Sequence, residues 1–381
     1  MNVRKKSLKK HYEWQGKIET AVRVPVFSRD DLSLAYTPGV AEPCLAIKDD
    51  KDKSFALTRR WNVVPVITDG TAVLGLGNIG AAAGLPVMEG KAALFKAYGD
   101  VDAYPLAIGS VDVDEIVSAV KLFADSWGGV NLEDIAAPRC FEIERRLIEE
   151  LDIPVFHDDQ HGTAIVVAAA LENALKLAQK KISDVTVTIN GAGAAGIAIA
   201  EFLKKTGVKD IIVHTLGGII EDDERFDPYQ RELAKTTNKT GKRGDLAVAI
   251  DGADVFIGVS AANCVSEDMI RSMNSKAIVF AMANPTPEIS REAAINAGAF
   301  IVGTGSSEKP NQINNVLVFP GLFRGALDAR AKRITFPMMQ AAARAIAECA
   351  GDVTPDRILP YAYDLRVHKA VAKAVYNAVK R

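Results

Sequence analysis

The sequence predicts an α/β protein made of two parallel-sheet domains, and three observations predict it. Short β-branched runs alternate with helical stretches along most of the chain. The predicted strands are apolar at nearly every position, as parallel strands covered by helices on both faces must be. A length of 381 residues suits two domains of roughly 100–200 residues each. The composition permits a large core: hydrophobic residues make up 48% and charged residues 25%, which excludes disorder as the main state. The 46 basic and 48 acidic residues nearly cancel, so nucleic acid is not an expected partner, because phosphate neutralisation needs a basic surplus.

The elements follow in order. The basic start, Arg4-Lys5-Lys6 and Lys9-Lys10, runs into Tyr12-Glu13-Trp14-Gln15 and reads as a solvated helix rather than a secretory signal. No apolar run approaches the ~18–20 residues of a membrane span, so no membrane partner is expected. The longest such run, Ala164 to Leu171, stops at Glu172. Val63–Thr68 and Val101–Ile108 read as strands, and Met88–Tyr98, Val113–Ala124 and Cys140–Glu150 as helices. Short strands end at Leu132 and His157. Thr163–Leu177 reads as a helix joining the domains, which divides the chain into residues 1–160 and 161–381. Beyond it come strands at Val185–Asn190, Asp210–His214, Val255–Val259 and Ala277–Met282, with helices at Ala194–Lys205 and Arg291–Ala297. Alanine-rich helices, Phe336–Glu348 and Tyr361–Lys380, close the chain. The cysteines Cys44, Cys140, Cys264 and Cys349 lie far apart without a CxxC pair, which fits a reducing cytoplasm and no zinc site.

Gly-x-Gly-x-x-Gly occurs twice, at Gly75–Gly80 and at Gly191–Gly196. The second follows a clear strand, opens a clear helix and precedes another strand, so it completes a βαβ unit. Its residues Gly191, Ala192, Gly193, Ala194, Ala195 and Gly196 are expected to bind a dinucleotide as a Rossmann-type turn. Glycines admit the pyrophosphate, and the helix N-terminus offers free N–H groups and positive dipole. Nineteen residues past Gly196 stands Thr215 where an acid often binds the ribose, so the choice between NAD and NADP stays open. The first fingerprint is followed by Gly84 and Pro86, which are expected to break its helix. A turn that brings backbone close to a ligand is its preferred reading.

Two acid pairs, Glu133-Asp134 and Asp158-Asp159, follow the two short strands. Carboxylates at the C-terminal ends of parallel strands converge on the ligand rim and suit a hard cation such as Mg²⁺ or Mn²⁺. Taken singly, Asp158-Asp159 reads better as a helix N-cap and Glu133-Asp134 as a solvated helix start before Pro138; only together at strand ends do they point to a metal site. His157 and His161 flank the acids and are expected in supporting rather than metal-binding roles.

The segments Tyr36-Thr-Pro-Gly-Val-Ala-Glu-Pro43, Pro86-Val-Met-Glu-Gly-Lys91, Asn131-Leu-Glu-Asp134, Phe156-His-Asp-Asp-Gln-His-Gly-Thr163, Gly191–Gly196 and Ala283-Asn-Pro-Thr-Pro287 together resemble the small bacterial malic enzymes, in that family's order and over nearly the whole chain. The resemblance implies a substrate and metal domain followed by a dinucleotide domain, a homodimer, and oxidative decarboxylation of L-malate to pyruvate and CO₂. It implies Tyr36 as general acid and Lys91 as general base. Glu133, Asp134 and Asp159 are implied as metal ligands and Asp158 as the partner of Lys91. Asn284 and Asn314 are implied at the substrate and nicotinamide. A basic role requires a neutral lysine, so Lys91 is expected to have its pKa depressed by burial or nearby cations. Larger members carry a malate-gripping arginine before the first glycine fingerprint, where Thr71 stands here. An oxaloacetate decarboxylase that barely uses its dinucleotide, and a non-catalytic dinucleotide sensor, are the rival readings.

Overall fold

A computed structural model describes residues 3–73 and 75–380. Two sheets organise the chain. The first holds β1 (Val63–Thr68), β2 (Asp102–Ala107), β3 (Val130–Leu132) and β4 (Val155–His157), all parallel, in the order β2-β1-β3-β4. The second holds β5 (Thr186–Asn190), β6 (Asp210–Thr215), β7 (Gly218–Ile219), β8 (Val255–Gly258), β9 (Ile278–Ala281) and β10 (Ile301–Thr304). Its order is β10-β9-β8-β5-β6-β7, parallel except for the β6–β7 hairpin. The chain leaves β5 for β6 on one side and later returns to β8 on the other. β5 is therefore the switch point, and ligands bind where its C-terminal end opens.

The strands are as buried as their composition demands: Val64, Val66, Val130, Val187, Ile189, Val255 and Ile278 are fully enclosed. Helix Thr163–Ala178 lies in the same core as both sheets and buries eleven of its residues. The strands β7 and β10 and the helix Phe319–Asp328 are additions to the predicted pattern. Gly303 interrupts the apolar run of β10 because a Cβ there would come within 2.9 Å of Phe280 and 2.7 Å of Ile313. The final helix begins at Leu365 rather than Tyr361, since Asp364 caps it by accepting from Arg366 N at 3.0 Å.

One expectation is overturned. Gly84 and Pro86 do not break the helix after the first fingerprint; it runs unbroken from Ala81 to Gly99. Proline forfeits one backbone donor near the helix start, and the Pro86 carbonyl is held by Lys17 Nζ at 2.6 Å. Packing outweighs propensity here, because Met88, Lys91, Ala92 and Phe95 are all buried on this helix.

The first sixty residues behave differently. Helices Val3–Trp14, Arg29–Ala35 and Ala41–Asp49 bury none of their residues. Val22, Phe27, Leu34 and Tyr36 stand exposed on this arm. Among the described residues no helix is long and apolar enough to cross a membrane.

Candidate active site at the strand ends

Parallel pairing of β3 with β4 sets Leu132 beside His157, so the acid pairs that follow leave the sheet side by side. Glu133 and Asp134 come off β3; Asp158 and Asp159 open a single π-helical turn, Asp158–Gly162, at the end of β4. Ligand oxygens of Glu133, Asp134 and Asp159 lie within 4.8 Å of one another. The Asp134 amide donates to Asp159 Oδ2 at 2.7 Å, which ties the two strand ends together. Asp134 has a left-handed backbone, φ 54°, which turns its carboxyl inward.

Helix Ala81–Gly99 carries Lys91 into this cluster. Only 7% of Lys91 is exposed, so it is no surface lysine. Its ammonium donates to Asp158 Oδ2, lies 2.9 Å from Glu133 Oε1 and sits 4.1 Å over the Phe319 ring. Asn315 Nδ2 donates to the same Asp158 oxygen at 2.6 Å. Gly162 is required beneath it, because a Cβ there would fall 1.9 Å from Asp158 Oδ1.

Burial dominates the electrostatics. It pushes Asp134 up to about 9, Glu133 and Asp158 to about 7, and Asp159 to about 6; neighbouring carboxylates add most at Asp134, while Lys91 holds the other three back. Lys91 departs from the sequence expectation. Burial alone would lower its pKa, but Asp158, Glu133 and Asp159 face it and hold it above the ordinary lysine value. Lys91 is therefore protonated in the metal-free chain. Asp134 Oδ2 is buried with no hydrogen-bond partner, an acceptor left for something else to satisfy. A concentrated set of hard oxygen donors with an orphaned carboxylate oxygen fits a divalent cation.

The opposite wall is built from small residues. A cavity of about 500 Å³ is lined by Asp159, Ala136, Gly193, Ala194, Asn284 and Asn314, among others. Gly191 (φ 115°) lets the turn double back, and a Cβ on Gly196 would lie 1.7 Å from Gly191 O. Gly193 has nothing within 4 Å of such a Cβ, so its backbone stays open to a ligand. The helix Ala194–Thr206 has no side-chain cap and leaves its first N–H groups free toward the cavity. These residues fit a pyrophosphate. The first fingerprint closes the cavity's edge: Gly75 (φ 73°) lies so near the loop after β9 that a Cβ would meet Asn284 O at 2.9 Å.

Asn284 and Asn314 both line the cavity; Asn284 Nδ2 contacts Met282 O at 3.3 Å, and Asn314 Oδ1 accepts from Val316 N at 2.9 Å. Tyr36 is not brought in. It is 69% exposed on the arm and does not line the cavity of its own chain. Thr71 does not replace a carboxylate clamp, since its hydroxyl donates to Asp69 Oδ1 at 2.6 Å and accepts from Arg139 Nη2 at 3.0 Å. Two residues escaped the sequence reading. Asn315 was hidden behind Asn314 in a polar run. Glu144 was hidden in a helix that also carries exposed acids, although it shares a face with Cys140 and Leu147 at helical spacing, and a charge on an apolar stripe is a readable signal.

The fold and the glycine turn define a Rossmann-type dinucleotide-binding protein with a second parallel sheet. Residues 15–112 match the malic enzyme N-terminal domain and residues 160–380 the malic enzyme NAD-binding domain. The chain belongs to the malic enzyme family. It is 54% identical to the bifunctional malic/malolactic enzyme of Bacillus subtilis, over 99% of this chain and 93% of that protein. Identity to the NAD-dependent malic enzyme of Geobacillus stearothermophilus is 52%, over 96% of this chain and 77% of that one. The crystal structure of the NAD-dependent malic enzyme from Thermotoga maritima superposes with a TM-score of 0.94 at 49% identity, covering 97% of this chain and 98% of that one.

Proposed function

We propose that this chain oxidatively decarboxylates L-malate to pyruvate and CO₂ in the cytoplasm, with reduction of NAD or NADP and dependence on Mg²⁺ or Mn²⁺. The observation that carries the reading is Lys91, buried between Glu133 and Asp158 beside a three-carboxylate cluster whose Asp159 lines one cavity together with the open glycine turn at Gly193. Glu133, Asp134 and Asp159 would hold the metal, and Gly191–Gly196 the pyrophosphate. When bound, the divalent ion supplies Lewis-acid polarisation of the C2 oxygen and the dinucleotide supplies the hydride acceptor.

The chain's own residues do the rest. Lys91 Nζ accepts the C2 hydroxyl proton, which requires that it first pass its own to its hydrogen-bond partner Asp158 or to water. Burial is already the largest single influence on Lys91, so once the carboxylate charge around it is offset, burial drives Lys91 toward its neutral form. Asp158 and Asn315 keep the amine aimed while it changes state. Asn284 and Asn314 orient substrate and nicotinamide from the cavity lining. No arginine lines this cavity among the described residues, so these amides and the free N–H groups take the place of a carboxylate clamp.

Tyr36 Oη would return a proton to C3 of the enol. It rides on an arm whose helices bury nothing, alongside exposed Val22, Phe27 and Leu34. These exposed apolar side chains offer a surface to a second copy of the chain, and a homodimer is the assembly that would bring Tyr36 to a cavity. The two sheets divide the work, with residues 1–160 supplying acid, base and metal ligands and residues 161–381 the dinucleotide site.

The test is direct. Purified protein with L-malate, Mn²⁺ and each dinucleotide should form pyruvate and reduced nicotinamide in equal amounts. Absence of pyruvate with both dinucleotides overturns the reading.

A further inference from the structure

Adjacent carboxylates on one short turn must serve different partners. Asp158 points to Lys91 and Asn315, while Asp159 accepts from the Asp134 amide and completes the carboxylate cluster. A turn with π-helical spacing is rare overall and is frequent at functional sites. Its neighbour here is Glu144, from the separate helix Arg139–Glu150.

Glu144 is 5% exposed and reaches the turn from beneath. Its Oε1 accepts from the His157 amide at 2.8 Å, and its Oε2 from Gln160 Nε2 at 3.1 Å and His161 Nε2 at 2.9 Å. One carboxylate thus binds the residue before the acid pair and the two residues after it. Asp158 and Asp159 are bracketed on both sides. Glutamine has the same shape but no charge. It can accept from the His157 amide only with its NH₂ turned to Gln160 and His161, which must then flip and change tautomer to accept, so both charge-assisted contacts of Oε2 are lost.

We propose that Glu144 is a positioning residue that sets the metal affinity of the cluster by locking the Asp158–Gly162 turn, with His161 and Gln160 as the arms through which it acts. The proposal rests on the metal reading of Glu133, Asp134 and Asp159. Outer partners that orient metal-holding side chains commonly control affinity by about 10–100-fold.

The experiment titrates Mn²⁺ into the full chain without malate or dinucleotide, reading free Mn²⁺ by electron paramagnetic resonance. Dinucleotide binding is followed in parallel by nucleotide fluorescence. Wild type, Glu144→Gln, Glu144→Asp and His161→Gln are compared. Glu144→Gln should weaken Mn²⁺ by about 10–100-fold and leave dinucleotide affinity unchanged. His161→Gln should weaken it less, because two of the three donors remain, and Glu144→Asp should recover part of the affinity by restoring the acceptor. If Glu144→Gln does not fold, His161→Gln carries the test alone. Unchanged Mn²⁺ affinity in both, or a parallel loss of Mn²⁺ and dinucleotide affinity, overturns the proposal. Failure of the wild type itself to bind Mn²⁺ overturns the metal reading beneath it, so the two failures are distinguishable.

Discussion

The two walls of the cavity are made by opposite means. On the first sheet's side, charge is crowded: Lys91, Glu133, Asp134 and Asp158 are buried at close range behind Asp159, which reaches the cavity lining. On the second sheet's side the wall is made by leaving side chains out, so that Gly191 and Gly196 let the turn close on itself and Gly193 exposes backbone. The charged wall should respond to pH, to metal and to the sign of a residue. The glycine wall should respond to volume and be nearly indifferent to all three.

The largest effect is expected at the centre of the charged wall. Lys91→Ala should lower malate turnover by about 10²–10⁴-fold, the usual contribution of a general base, while dinucleotide affinity measured by fluorescence stays unchanged. Near-normal turnover would remove the lysine from the mechanism. On the opposite wall, Gly196→Ala drives a Cβ to 1.7 Å from Gly191 O. It should cost about 1–3 kcal/mol of stability in urea titration and abolish dinucleotide binding, yet leave Mn²⁺ binding in place. If both ligands are lost together, the walls are not independent.

A third expectation concerns pH. Asp134, Glu133, Asp158 and Asp159 all have folded pKa values above the ordinary carboxylate range of about 4. The native state therefore binds more protons than the unfolded chain between the two sets of values. Their stabilising share is complete below about pH 4 and is lost as pH rises through about 6 to 9. Melting of the metal-free protein should fall across that window, and saturating Mn²⁺ should flatten the slope. Asp134→Asn should raise metal-free stability at pH 8 by about 1–2 kcal/mol, because it removes a buried carboxyl that must take up a proton to stay folded, and should eliminate stabilisation by Mn²⁺. A variant less stable than wild type without metal would show that this proton uptake is not the governing term.

The smallest effect should be at the first fingerprint. Gly77 has a left-handed backbone, φ 72°, but nothing within 4 Å of an added Cβ. Gly77→Ala should cost about 1 kcal/mol, the conformational penalty alone, with dinucleotide affinity unaltered.

The same contrast explains what could be read beforehand. The glycine wall was legible because its function lies in one contiguous βαβ stretch whose spacing is set by local geometry. Glu133-Asp134 and Asp158-Asp159 were legible as strand-end acids, yet nothing local says that β3 lies beside β4. The helix through Gly84 and Pro86 was misread because propensity speaks against it, and only the burial of Met88, Lys91 and Phe95 decides otherwise. Glu144 and Asn315 stayed invisible because their partners lie 13 or more and 157 positions away.

By itself the sequence determined the α/β class, the Rossmann-type turn and the family likeness, since each is written in periodicity or in short runs of residue types. Tertiary structure alone decided the protonation of Lys91, the bracketing of the acid pair by Glu144 and the exposure of Tyr36. Those depend on which groups face each other out of water, and Coulomb forces and desolvation act across space rather than along the chain.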